Sequence, residues 1–155
     1  MNNNDQYRKL MPPEPISPEE QCTCAEIQAI YLAFDLTENP IHCDICRGAV
    51  APERIELTPS QVDAVADWTT TFGSIYKLWL QSGSYEAWAY EQLVEAGSAV
   101  NLGGMAVAGA LSTGRSCGYL WFWNERRPDC CPRCASALDT LPNAFLRCPI
   151  CKVYV

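Results

Sequence analysis

The sequence of 155 residues contains a single histidine and no run of about 18 apolar residues, the length at which a membrane helix is suspected. One histidine, His42, offers no basis for a histidine-dependent catalytic triad. The first residues are polar, unlike a secretory signal, and neither a P-loop nor a G-x-G-x-x-G motif occurs. We therefore expect a non-enzymatic, cytoplasmic protein without a membrane partner.

Cysteine is abundant instead, with ten residues, and four of them form a regular C-terminal set. Two Cys-x-x-Cys pairs, Cys131/Cys134 and Cys148/Cys151, are separated by thirteen residues. Four thiolates at this spacing are typical of a tetrahedral zinc site in a ribbon or knuckle. Two disulfides, reduced core cysteines or an iron–sulfur cluster are the alternatives, but the missing export signal favours metal over disulfides.

A second set lies near the N-terminus and is less regular. Cys22-Thr-Cys24 precedes Cys43-Asp-Ile-Cys46 by eighteen residues. Cys-x-Cys places both side chains on one face of a strand, from which they can still chelate a metal. We predict a second zinc ion bound by Cys22, Cys24, Cys43 and Cys46. The alternative is that His42 replaces one of these thiolates.

Two further cysteines, Cys117 and Cys130, belong to neither set. Either one is a plain buried thiol or, in the case of Cys130 beside Cys131, a competitor for the metal. Without a second histidine a nucleophilic role is a remote alternative.

The segment between the two sets predicts helices. Thr58-Pro-Ser-Gln61 has the pattern of a capping box with proline at the first helical position. Apolar residues then recur every three or four positions to about Leu80, and two further helices are expected from Tyr85 to near Gly97 and from Ser98 to about Leu111. Their aromatic residues are expected to be core residues. Short strands are predicted at 27–36, 55–57, 119–123, 145–146 and 153–155.

These elements predict an α+β fold with a small helical middle of about three helices, flanked by two four-cysteine modules of the zinc-ribbon or knuckle type. The four expected segments are a flexible tail (1–21), an N-terminal zinc-binding β module (22–57), a helical region (58–114) and a C-terminal zinc ribbon (115–155). The ribbon is too small for an unaided core, so metal binding would supply its folding free energy.

The net charge of −7 is unevenly distributed along the chain. Residues 1–114 carry five basic and fifteen acidic side chains, whereas residues 115–155 carry six basic and three acidic ones. An acidic protein is poorly suited to coating duplex nucleic acid and better suited to a basic partner, although a merely solvated surface is the plain alternative.

Several stretches also resemble a known family. They are Asn39-Pro-Ile-His-Cys-Asp-Ile-Cys46, Trp79-Leu-Gln-Ser-Gly-Ser-Tyr-Glu-Ala-Trp88, Ser98-Ala-Val-Asn-Leu-Gly103 and Gly118-Tyr-Leu-Trp-Phe-Trp123. Over about residues 22–155 the chain resembles bacterial zinc-ribbon-containing proteins of unknown function, often labelled possible nucleic-acid-binding proteins, although its N-terminal region is shorter. The resemblance implies a metal-stabilised fold. Such proteins also look like accessory proteins of polymorphic-toxin loci, which implies an immunity-type role.

Two functions from different classes follow. The first is a protein-interaction module, most concretely an inhibitor or immunity protein that binds a basic partner such as a toxin through its acidic helical part. The alternative is a nucleic-acid-binding ribbon, in which basic side chains contact phosphates and aromatic rings stack on bases. The residues for that alternative are Arg115, Arg126, Arg127, Arg133, Arg147 and Lys152, with Trp121 and Trp123.

Overall fold

The computed structural model describes residues 16–36 and 39–155. Within these residues it contains three α-helices, six β-strands and two short 3-10 helices, at Pro18–Glu20 and Pro52–Arg54. In chain order the main elements are β1 (Ala29–Leu32), β2 (Ile41–Cys43), α1 (Pro59–Gln81), α2 (Glu86–Val94), α3 (Ala99–Leu111), β3 (Ser116–Leu120), β4 (Asp139–Thr140), β5 (Leu146–Arg147) and β6 (Val153–Tyr154).

The six strands form one sheet in the order β2-β1-β3-β6-β5-β4. The three central strands β1, β3 and β6 are parallel, and the outer pairings are antiparallel. The fold is therefore mixed α and β, and two four-cysteine groups flank a helical middle, as predicted. The sequence did not predict that strands from both cysteine modules join in a single sheet.

Helix α1 begins where the capping box predicts. The hydroxyl of Thr58 accepts a hydrogen bond from the backbone N–H of Gln61, whose side-chain oxygen accepts one from the N–H of Thr58 at 2.8 Å. The helix then buries Val65, Trp68 and Phe72, which lie on one face at a spacing of three or four residues. On this face the ring of Trp68 contacts that of Tyr119 in β3 at a centroid distance of 5.7 Å, while α1 as a whole packs mainly against α2 and α3.

Asn101 ties the three-helix region to the sheet. Its side chain is fully buried, and its amide nitrogen donates to the carbonyls of Leu93 (3.0 Å) and Glu95 (2.9 Å) at the end of α2. Its amide oxygen accepts from the hydroxyl of Tyr119 in β3 at 2.8 Å. Burying a polar side chain is favourable only when its hydrogen bonds are satisfied, as they are here. The turn between α2 and α3 is thereby held in register with β3.

One stretch, Glu86–Leu111, is long and apolar enough for a membrane span when judged by length and composition, and 33% of its window is buried. The structure divides it at residues 95–98 into α2 with nine residues and α3 with 13. Each helix alone is shorter than the roughly 20 residues needed to cross a bilayer.

The structure corrects two of the predicted strands. Residues 55–57 form no strand, because the 3-10 turn at Pro52–Arg54 and the positive φ of Glu56 (51°) bend the chain there. The strand expected over 119–123 lies instead at Ser116–Leu120, where it pairs with β1 on one side and β6 on the other. Trp121 still donates its N–H to the carbonyl of Tyr154 at 2.8 Å.

The predicted tail also has an ordered end. Gln21 forms a parallel bridge with Ala49, and Pro18–Glu20 forms a 3-10 turn with Ser17 at its N-cap position. Residues 1–15 lie outside the described residues.

Candidate metal centres

The structure brings the eight cysteines of the two predicted sets into two compact groups. Within each group all four sulfur atoms lie within 4.8 Å of one another. Each group has two buried cysteines, one intermediate and one exposed. We call Cys22, Cys24, Cys43 and Cys46 the first centre, and Cys131, Cys134, Cys148 and Cys151 the second centre.

The sulfur separations fit a metal ion and not a disulfide. The Sγ atoms of Cys24 and Cys43 are 4.0 Å apart, and those of Cys134 and Cys148 are 3.6 Å apart. Four sulfurs at about 2.3 Å from a central zinc would be separated by about 3.8 Å along each edge of the tetrahedron. A disulfide requires about 2.05 Å, so both centres have the spacing of thiolate ligands.

All three Cys-x-x-Cys pairs form the same turn, which we call a knuckle. In the first centre the N–H of Arg47 donates to the carbonyl of Cys43, and the N–H of Cys43 donates to the carbonyl of Gly48, both at 2.9 Å. The knuckles that begin at Cys131 and Cys148 repeat both bonds at 2.8–3.0 Å. The local sequence thus folds back on itself and turns both thiols of a pair to the same side.

The residue after each knuckle has a left-handed backbone. The φ angles are 63° at Arg47, 59° at Ala135 and 56° at Lys152. This region is sparsely populated by residues other than glycine and costs of order 1 kcal/mol or more. These positions could not be predicted from the sequence, because glycine, the usual residue for a left-handed backbone, is absent from all three sites.

Hydrogen bonds to sulfur support the knuckles. The N–H of Gly48 points to Cys46 Sγ at 3.4 Å, and the N–H of Cys151 points to Cys148 Sγ at 3.3 Å. Hydrogen bonds from Ser136, first from its side chain and then from its backbone, lower the pKa of Cys134 to about 6, whereas burial raises the pKa of Cys151 in the same centre to about 12. Such bonds favour the thiolate, which is the form that binds metal.

The Cys22-x-Cys24 pair is built differently, as an extended arm. The N–H of Cys22 donates to the carbonyl of Ala49 at 2.8 Å, which holds the arm beside the first knuckle. Gly48 is required at this contact, because a Cβ there would lie 2.7 Å from the backbone nitrogen of Cys22. The arm therefore depends on a close backbone approach that no other residue type permits.

Arg54 holds the arm from the other side, and sequence reasoning missed it. Its guanidinium donates through Nη1 to the carbonyl of Cys22 at 2.8 Å and through Nη2 to the carbonyl of Cys24. The 3-10 turn Pro52–Arg54 presents the side chain in this position. A planar fork that spans two carbonyls is a geometry lysine cannot reproduce. No spacing rule links an arginine thirty residues away to a cysteine pair.

His42 lies outside the first centre. Its ring stacks on Tyr31 at 5.3 Å, its Nδ1 is 3.3 Å from the carbonyl of Arg47, and its Nε2 is 3.9 Å from Asp35. Burial lowers the pKa of His42, so the neutral ring is favoured. The four sulfur atoms of the first centre come together without it.

The two remaining cysteines have opposite environments. Cys117 lies in β3, 3% exposed, and burial raises the pKa of its thiol to about 12. Cys130 is exposed beside the second centre. Neither belongs to a group of potential metal ligands within the described residues.

The topology places both centres at one edge of the sheet. The arm precedes β1, and the last knuckle, Cys148 to Cys151, directly precedes β6. Since β1, β3 and β6 are parallel, both centres lie toward the amino ends of the central strands. Contacts also join the two modules, because Asn143 donates to the carbonyl of Asp44 and Arg47 lies over the ring of Phe145.

Comparisons with known proteins found no relative of this chain. No protein-family model matches the chain, and neither curated proteins nor solved structures contain a significant match. The resemblance to bacterial zinc-ribbon proteins therefore stays an expectation, and the function has to be argued from the residues.

Proposed function

We propose that each cysteine centre holds one zinc ion and that both ions are structural. Four cysteines complete a tetrahedral coordination sphere and leave no position for a reactive water. The proposal is supported by the sulfur separations of 3.6 and 4.0 Å, by the matching knuckles and by the free state of all ten thiols. Iron in a four-thiolate site is the competing metal.

The zinc-stabilised fold serves, in our proposal, as a non-enzymatic protein-interaction module of the inhibitor or immunity type. Its partner would be basic. The observation that carries this proposal is the outer face of α2, which combines exposed aromatic rings with carboxylates and has no basic side chain.

Helix α2 separates its residues cleanly into two faces. Ala89 and Leu93, four residues apart, are fully buried against the rest of the molecule. Trp88 and Glu91, three residues apart, lie on another side of the helix, and Glu95 follows α2 as its exposed C-cap residue. Trp88 is 48% exposed. A large aromatic residue left half-exposed on a helix that also carries carboxylates is better suited to contact with a partner than to packing within the protein.

This composition matches the known energetics of protein interfaces. Tryptophan and tyrosine are enriched among the few residues that carry most binding energy, whereas surrounding charges mainly raise the association rate and select the partner. Tyr85 and Tyr90, which are 60% and 40% exposed, extend the aromatic area on the same helix region. A basic partner would place its positive side chains against Glu91 and Glu95.

The test is affinity capture from the native host with three matched baits. One bait is the wild-type protein, and another carries Trp88→Ala, Glu91→Gln and Glu95→Gln. A control bait carries Glu53→Gln and Glu125→Gln, which remove the same two charges at exposed positions elsewhere.

We expect a basic protein that the wild type and the control retain, that the α2 variant loses, and that raised salt releases. Equal retention by all three baits would contradict the proposed surface. Retention that disappears after nuclease treatment would transfer support to the alternative function.

The alternative is nucleic-acid binding by the C-terminal ribbon. It is favoured by the basic excess of residues 115–155 and by the exposure of Trp123 (41%). It is weakened at Arg126, which is paired with Asp129. If this function is correct, changing Arg126 and Arg127 together to alanine should abolish binding of labelled single strands and reduce the salt slope by about two units.

A further inference from the structure

A cleft opens at the carboxyl ends of the central strands and extends to Arg47, which follows the last cysteine of the first centre. It has a volume of about 550 Å³. The residues that follow β1 (34–36), those that follow β3 (121–123) and Val155 after β6 all line it. The carboxyl ends of all three parallel strands therefore converge on one cavity. In open sheets with parallel strands this is the edge where ligands bind, because the chains diverge there and leave a crevice.

The walls of the cleft are mostly flat rings. Phe34, Tyr76, Phe122 and Phe145 line it with the half-exposed Trp123. Phe122 packs edge-on against Tyr76 at a centroid distance of 6.0 Å, so its orientation is fixed by its neighbours. Rings held in this way offer stacking surfaces to a planar ligand without a large loss of side-chain freedom.

Two guanidinium groups and one carboxylate complete the lining. Arg47 and Arg127 both face the cleft, together with Asp35. The guanidinium carbon of Arg47 lies 4.1 Å from the centroid of the Phe145 ring, which positions this cation beside the aromatic wall. The cleft thus holds two guanidinium groups in a protein whose overall charge is −7, and each of them can bind an anion.

We propose that this cleft binds a nucleoside phosphate, free or as one residue of a single strand. The base would stack among the rings near Trp123, and the phosphate would be bound by Arg127 and Arg47. A volume of about 550 Å³ lies within the range of small-molecule sites, roughly 300–1,000 Å³. A purely apolar ligand would make no use of the two guanidinium groups, and inorganic phosphate alone would leave the rings uncovered.

Arg47 connects the cleft to the first metal centre. Arg47 directly follows Cys46 and occupies the left-handed position that ends the knuckle. The knuckle therefore sets the point from which the Arg47 side chain crosses to Phe145. This arrangement makes Arg47 unsuitable for mutation in a binding test, because a change there would also disturb the centre. Arg127 and Trp123 are exposed and independent of the cysteines.

The proposal does not rest on the protein partner of α2, and its test uses different residues. Metal-loaded full-length protein is titrated with AMP, GMP, CMP and UMP, with the matching nucleosides, with inorganic phosphate, and with a short single-stranded oligonucleotide. Binding is followed by calorimetry and by quenching of tryptophan fluorescence. Variants are Arg127→Ala and Trp123→Ala. The matched controls are Lys77→Ala, an exposed cation outside the cleft, and Trp88→Ala on α2.

We expect saturable binding of at least one nucleotide, weakened about tenfold or more by Arg127→Ala and by Trp123→Ala and unchanged in both controls. The nucleosides and phosphate should each bind at least about tenfold more weakly than the nucleotide. Tighter binding of the oligonucleotide would identify a strand as the source of the ligand, and equal binding would identify the free nucleotide. No saturable binding by any probe, or binding that Arg127→Ala and Trp123→Ala leave intact, would overturn the proposal.

Discussion

The two cysteine centres have the same ligand number but different construction. The second centre consists of two knuckles whose hydrogen bonds are all local, within residues 131–153. The first centre pairs one knuckle with an extended arm that depends on Gly48 and Arg54. A knuckle is therefore self-supporting, whereas the arm is positioned by residues that bind no metal. Strands adjacent to both centres belong to the same sheet, so neither centre is an independent module.

The largest effect should follow from breaking the second centre with Cys148→Ser. Cys148 is fully buried, and its knuckle leads into β6, which lies between β3 and β5 in the sheet. Loss of the metal should therefore unfold the whole molecule and not only the ribbon, at a cost of at least about 4 kcal/mol. Thermal melting and zinc content measure this.

The control for that change is Cys130→Ser, which alters an exposed thiol next to the same centre. It should melt like the wild type and retain all of its metal. A Cys148→Ser protein in which only the C-terminal ribbon is lost, and the helices melt unchanged, would show that the shared sheet does not couple the modules.

A smaller effect, confined to the first centre, is expected from Arg54→Ala. The variant removes two hydrogen bonds to the carbonyls of Cys22 and Cys24 and should cost about 2 kcal/mol, because bonds to a charged group are worth roughly 1.5–3 kcal/mol. During mild chelation the first centre should lose its metal and the second should keep it.

Arg54→Lys is the informative companion, since it retains the charge but not the fork. It should behave more like the alanine variant than like the wild type. Metal loss at equal rates from both centres, with or without Arg54, would contradict the proposed role of the arm.

Gly48→Ala should lower the free energy of unfolding by about 1–3 kcal/mol, because the added methyl group would lie 2.7 Å from a backbone atom that cannot move aside. Gly103→Ala in α3 is the matched control. Nothing lies within 4 Å of the added atom there, so that change should stabilise the helix by up to about 1 kcal/mol. Chemical denaturation measures the change in the free energy of unfolding for each variant, and the two changes should have opposite signs. Two changes of the same sign would count against the close approach of the arm.

The smallest expected difference concerns the thiols outside the centres. A thiol whose pKa is raised to about 12 stays protonated below that pH, so Cys117 should resist alkylation by iodoacetamide at pH 8 while the protein is folded and metal-loaded. Exposed Cys130 should react. Mass spectrometry of peptides reports both sites. Fast modification of Cys117 would mean that β3 opens readily.

Much of this architecture could be predicted from residue patterns, and the failures share one cause. The Thr58 capping box and the cysteine spacings act locally, so the start of α1 and the membership of each cysteine group followed from the sequence. The single sheet, the position of β3 and the role of Arg54 depend on contacts between distant residues. The cleft could not be predicted for the same reason, because its lining comes from residues as far apart in sequence as Phe34 and Val155.

The central claim, that two thiolate centres are built into one fold, is tested most directly by metal content combined with X-ray absorption on protein purified without chelators. The account predicts two zinc ions per chain, each with four sulfur ligands at about 2.3 Å. A measured content of one zinc ion per chain would mean that the first centre, which contains the arm, binds no metal. A metal content near zero, with disulfides between the same cysteines, would contradict the account.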